Sequence, residues 1–118
     1  MPVYRLQFSR KMTDITGRES VEFFGPAEGH SDLSAAWWML PPECRTAERS
    51  DEAARAIIVL SGSGRVWLQG RPDDLAAGYA VYVPPATAWR LENMGRVPLV
   101  CYAIAAPALA DPAAPLRS

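Results

Sequence analysis

Seven short segments rich in β-branched and aromatic residues, each closed off by glycine, proline or a polar turn, limit most sharply what this chain can fold into. They run from Ser20 to Phe24, Leu33 to Leu40, Ala56 to Leu60, Gly64 to Gln69, Tyr79 to Val83, Trp89 to Asn93 and Leu99 to Ala103. No apolar pattern of helical period is long enough to compete, and one helical turn is expected around Asp73 to Ala77. Short strands in this number close into an all-β sandwich or barrel. SGSG at Ser61 to Gly64 supplies the permissive backbone of a tight hairpin. With 118 residues, 49% of them hydrophobic, the chain fits one domain, 1–118, and leaves no room for a second.

Charge and cysteine content exclude several classes. The formal net charge is -1 and the arginines are scattered, so no nucleic-acid partner is expected. No run of about eighteen apolar residues exists, and MPVYRLQFSRKM lacks the apolar centre of a signal peptide. The expectation is a soluble, cytoplasmic protein with no membrane partner. Cys44 and Cys101 are too few for a disulfide framework and have no metal spacing; they read as free thiols. SGSGR lacks the spacing of a phosphate loop, and no histidine stands near Ser50, Ser61 or Ser63 to activate a nucleophile.

The stretch GYAVYVPPATAWRLEN carries a spacing of its own. Gly78, Pro84 and Asn93 stand at the intervals Gly, five residues, Pro, eight residues, Asn, with Ala86 and Trp89 between. Further upstream, Pro42, Glu48, Ser50, Arg55 and Gly62 fall at the intervals of a second pattern, and a shorter variant of it would substitute Asp51 and Arg49 for Ser50 and Glu48. In these spacings, and in IIVLSGSGRVWLQG between them, the chain resembles a small single-domain cupin, a jelly-roll barrel also described as a double-stranded β-helix. The resemblance covers roughly 33–107 and implies N-terminal strands within 1–32 and a peripheral tail over 108–118.

Cupins of this kind hold a transition metal with three histidines and a glutamate. Here Trp89 stands where one histidine is implied, Arg55 at the glutamate position, and Glu48 and Ser50 at the other two histidine positions. Indole nitrogen only donates. The single histidine, His30, lies outside both patterns. The resemblance therefore implies a barrel without metal or other cofactor.

The same register implies a site at the barrel mouth. Glu48, Arg55 and Tyr82 are the candidate catalytic residues: Arg55 holds an oxyanion, while Glu48 and Tyr82 move protons. Trp89, Ser50, Trp37, Trp38, Ile57, Val59, Leu91 and Tyr102 are the candidate ligand-binding residues. Strand alternation places Ala80 with Tyr82, Ile57 and Val59 with Arg55, and Leu91 and Asn93 with Trp89. Trp37 and Trp38 point to opposite faces, and for Val100, Tyr102 and Ile104 either face is open. Two bland roles compete: Arg55 with Glu48 as a structural ion pair, and Trp89 as core. The functions implied are a metal-independent cyclase, isomerase or dehydratase for a small, largely hydrophobic substrate, of the sort found in natural-product pathways, or a non-catalytic small-molecule sensor. A homodimer is expected, with Met1 to Phe8 or Val21 to Phe24 near the interface.

Overall fold

The computed structural model describes residues 3–109, so most of the 108–118 tail lies outside the described residues. Among the described residues nine strands follow in order: β1 (Met12–Thr13), β2 (Glu19–Phe24), β3 (Ser34–Leu40), β4 (Ala54–Ser61), β5 (Ser63–Leu68), β6 (Arg71–Ala76), β7 (Ala80–Val83), β8 (Trp89–Glu92) and β9 (Leu99–Ala106). Six of them form one sheet in the order β1-β2-β3-β9-β4-β7, and the other three form a facing sheet in the order β6-β5-β8. Every pairing is antiparallel. The expected all-β jelly roll is what forms, and the only helical pieces among the described residues are two single 3₁₀ turns. None of them is long and apolar enough to cross a membrane.

Alternation decides what lies between the sheets. β3 buries Ser34, Ala36, Trp38 and Leu40 on its inner face, β4 buries Arg55, Ile57 and Val59, and β9 buries Leu99, Cys101, Ala103 and Ala105. Val66, Leu75, Trp89 and Leu91 close the core from the smaller sheet. On β9 the face left open by the sequence, Val100, Tyr102 and Ile104, is the outer one. β7 also departs from expectation: Val81 and Val83 are buried, whereas Ala80 and Tyr82 face outward.

Two turns differ from the sequence reading. Asp73 to Ala76 belongs to β6, not to a helical turn, and Ala77 opens the turn after it. Gln69 and Gly70 both adopt positive φ, 50° and 78°, the conformation of a two-residue hairpin turn, which returns the chain onto β5 with Leu68 opposite Arg71. Pro72 is tolerated because β6 is an edge strand. SGSG is a corner, not a hairpin: β4 ends in one sheet and β5 begins in the other. Gly62, at φ 85°, is required there twice over, since a Cβ would run into the carbonyl oxygen of Pro98.

Candidate functional site

The segment between β3 and β4 builds the mouth of the barrel. It runs beside β8 as an irregular extra strand, with Arg45 opposite Glu92 and Arg49 opposite Trp89. Backbone hydrogen bonds join Arg49 and Trp89 in both directions, at 3.0 and 2.8 Å. Counting back by twos from buried Arg55 brings Ala53 and Asp51 inward, and sends Glu52, Ser50 and Glu48 to solvent. The placement of Glu48 and Ser50 in the mouth is therefore corrected. Asp51, from the shorter spacing, is the carboxylate that meets Arg55.

Asp51 is the hub of this cluster. Its Oδ2 accepts from Arg55 Nη2 at 2.9 Å and from Trp89 Nε1 at 3.4 Å, and its Oδ1 accepts from Arg49 at 3.0 and 3.3 Å. Burial alone would raise the Asp51 carboxyl, but the bond and charge of Arg55, joined by those of Arg49, hold it below the usual carboxylate value. For Arg55 burial dominates and pulls the guanidinium below the usual arginine value, with Asp51 opposing. The ion pair foreseen for Arg55 exists, with Asp51 in place of Glu48. The Asp51 side chain keeps 10% of its surface exposed and Arg49 keeps 25%, so this end of the pair reaches water while Arg55, at 2%, does not.

Behind Arg55 the barrel is filled with aromatic and charged groups. Trp38 and Trp89 stack with ring centroids 5.7 Å apart and planes 11° from parallel. The Arg55 guanidinium carbon lies 5.3 Å from the Trp38 ring and 5.2 Å from the Trp89 ring. Arg18, which sequence reasoning missed, approaches Trp38 to 4.5 Å and forms a buried ion pair with Asp14 at 3.2 Å. Arg18 precedes β2 by one residue and shares the inward face with Ser20, a phase readable only once β2 is known to start at Glu19. Ile57, Val59 and Leu91 line the same interior as expected. Asn93 is inward but ties down a turn, donating to the carbonyls of Leu40 and Val97 and accepting from the Gly95 amide.

The remaining candidates lie elsewhere. Tyr82 is 64% exposed, and its side chain stands at a cleft of about 390 Å³ between the free edges of β6 and β7, floored by Val66, Leu68, Leu75 and Val81. Tyr102 is on the outer face against Phe23, and Trp37 is on that face under Phe8. His30 meets Tyr4 outside the barrel, with 2.9 Å between Nε2 and the phenol oxygen. Cys44 and Cys101 are both free, and burial pushes the Cys101 thiol up to about 12, which keeps it unreactive.

These residues do not fit a metal. Among the described residues no three His, Cys, Asp or Glu side chains converge. At the mouth a single carboxylate is already shared by two arginines, and the indole beside it has no lone pair to give.

The two facing antiparallel sheets, with a polar cluster at one end of the core, define a jelly-roll barrel. The profile of cupin domains matches residues 36–105, and the chain belongs to the cupin family. Solved structures with the same fold include a cupin 2 conserved barrel domain protein from Salinispora arenicola, at 17% identity and TM-score 0.75, covering 89% of this chain and 87% of that one. A predicted oxalate decarboxylase from Thermotoga maritima has 17% identity and TM-score 0.75, with 87% and 98% covered. Salicylate 1,2-dioxygenase from Pseudaminobacter salicylatoxidans has 20% identity and TM-score 0.73, with 80% of this chain and 28% of that one covered. Similarity at this level speaks for the fold alone. No curated protein matches the chain in sequence.

Proposed function

We propose that this cupin acts without a metal on a small organic substrate bearing an anionic oxygen, rearranging it within the barrel as a cyclase, isomerase or dehydratase. The carrying observation is the Asp51–Arg55 ion pair set against the Trp89 indole, at the positions where the family pattern implies metal ligands. In this reading Arg55 supplies a fixed positive fork, Asp51 gives or takes the proton in place of Glu48, and the indoles hold the apolar part of the substrate. Protein pretreated with a chelator and incubated with a panel of small unsaturated carboxylates and enols should form product detectable by mass spectrometry. Arg55→Lys should lose most of that activity, because a point charge does not reproduce a planar fork. No product with any member of the panel, or activity that disappears on chelation, would reject the reading.

A second reading, a non-catalytic sensor, is favoured by the filling of the interior: Arg55, Ile57, Trp38, Trp89 and Leu91 are each at most 2% exposed. A sensor would bind ligand without forming product. We also place the protein in the cytoplasm, where thiols such as Cys44 and Cys101 stay reduced; cell fractionation tests this.

A further inference from the structure

The core comes nearest to solvent at the seam where β6, an edge of the small sheet, meets β7, an edge of the large one. Val81 and Leu75 are 8% and 5% exposed there, the two highest values among the buried apolar residues. With Val66 and Leu68 they floor the cleft of about 390 Å³. A concave apolar floor of that volume is in the range of small-molecule sites. Asp51, Arg55 and Trp89 of the mouth take no part in its lining.

The rim gives the cleft its chemistry. Tyr79 and Tyr82 stand there, 54% and 64% exposed, and neither ring packs on another aromatic group among the described residues. Asp73 and Asp74 line the cleft as well, and no lysine, arginine or histidine among the described residues does. Asp74 is held by Arg65, its neighbour on β5, at 3.1 Å. Asp73 stands opposite Val66 and two residues before Leu75, so it shares the face that floors the cleft and has no ion-pair partner among the described residues. A carboxylate without a counter-ion, beside aromatic rings and over an apolar floor, selects a cation with an apolar body. The seam also limits the ligand's size. β6 and β7 are consecutive, and the Tyr79 amide donates to the Ala76 carbonyl at 3.0 Å, so the turn between them closes one end. β7 is four residues long and Pro72 removes an N–H from β6, which leaves little backbone for an extended peptide to pair with. We infer that the seam binds a small organic cation, an aryl- or alkylammonium, with its charge received by Asp73 and the rings of Tyr79 and Tyr82 and its apolar body by Leu75 and Val81.

Benzylammonium is the probe, with benzyl alcohol and benzoate as neutral and anionic counterparts of similar shape. In a ¹⁵N-edited NMR titration of the whole chain, benzylammonium should shift the amides of Leu75 and Val81 saturably, with a dissociation constant of about 1 mM or below. The amides of Arg49 and Asp51 at the mouth should stay unmoved. Benzyl alcohol should bind about two- to fivefold more weakly, as expected for loss of a cation from an exposed aromatic site, and benzoate more weakly still. Asp73→Asn alters an exposed side chain without a partner, so it should unfold at the wild-type temperature and still weaken benzylammonium about two- to fivefold. Tyr79→Leu, which keeps the apolar bulk and removes the ring, should weaken it by a similar factor. Unmoved Leu75 and Val81 amides would overturn the inference, as would shifts confined to the mouth. Equal affinity for benzyl alcohol, or an Asp73→Asn variant that binds like the wild type, would overturn it too. Binding by a Tyr102→Arg variant but not by the wild type would do the same, since a second copy and not a small cation would then fill the cleft.

Discussion

Trp38 and Trp89 stack across the barrel from opposite sheets, 5.7 Å apart and nearly parallel, and this contact explains why position 89 is a tryptophan. Where a histidine would leave room for a metal, the indole fills the space, is fully buried, and lends its N–H to Asp51. Trp89→Ala should cost about 3–5 kcal/mol, the range for emptying a large aromatic from a core. Trp89→Phe should recover much of it. Thermal unfolding of the two variants measures this; an alanine variant as stable as the wild type would show that the stack contributes little to the fold.

Asp51 makes stability depend on pH. Its carboxyl is lowered in the folded state, so its contribution is fully present above the ordinary carboxylate range and is lost as pH falls through the lowered value. Asp51→Asn should therefore flatten the acid limb of a stability-against-pH curve. At neutral pH it should cost toward the lower end of about 3–5 kcal/mol, since it strands the buried Arg55 but leaves the mouth open to water. Replacing both partners with apolar residues should be milder than replacing Asp51 alone. A curve for Asp51→Asn parallel to that of the wild type would assign the acid limb to other groups.

Ala86 stands where the family pattern has glycine, and the structure shows the reason for glycine there: its φ is 59°, in the left-handed region. The turn is held by the Ala86 amide donating to the Asp51 carbonyl at 2.6 Å, so the strain supports the mouth of the barrel. Left-handed geometry costs a non-glycine residue about 1–2 kcal/mol, partly offset by the greater chain freedom a glycine loses on folding. Ala86→Gly should thus raise stability by up to about 1 kcal/mol, read as a shift in denaturation midpoint at constant slope. A fall in midpoint would mean the methyl group makes contacts that outweigh the strain.

Strand positions were legible in the sequence because β-branched and aromatic clusters between glycines leave few alternatives, and all seven segments became strands. β6 was hidden because RPDDLA has poor strand propensity and is held by the Gln69–Gly70 turn and by β5, which are contextual. The inward faces of β4 and β8 followed from alternation, which identified Arg55, Ile57, Val59, Trp89 and Leu91 as interior, whereas for β3 alternation only set Trp37 and Trp38 on opposite faces. Glu48 and Ser50 were misplaced because the motif spacing put them on the same side as Arg55. Positions 48 and 50 are odd steps from 55, and period two sends them outward. Asp14, Arg18 and Ser20 carry no motif at all; the pairing of β2 with β3 sets Ser20 opposite Trp38, Arg18 just before β2 reaches the same ring, and Asp14 joins them only through Arg18.

The outer face of the large sheet supports the last prediction, a homodimer. Tyr102 and Tyr82 are 37% and 64% exposed there, on the strands to either side of β4, and Tyr79 and Leu60 are exposed apolar residues nearby in the chain. The described N-terminal residues pack mainly on the other side, through Phe8 on Trp37 and Tyr4 on Phe24, and Val3 and Tyr4 reach an apolar cavity that Tyr102 also lines. β7 adds a short apolar edge, paired to β4 alone. A surface of aromatic residues beside an open edge favours a second copy of the same chain, which would bury both at once. Light scattering should give twice the 12.9 kDa chain mass at micromolar concentration. Tyr102→Arg, on the outer face and away from the core, should shift the protein to monomer with its fold intact. A wild-type monomer across that concentration range removes the dimer, and a Tyr102→Arg dimer moves the interface to the N-terminal side.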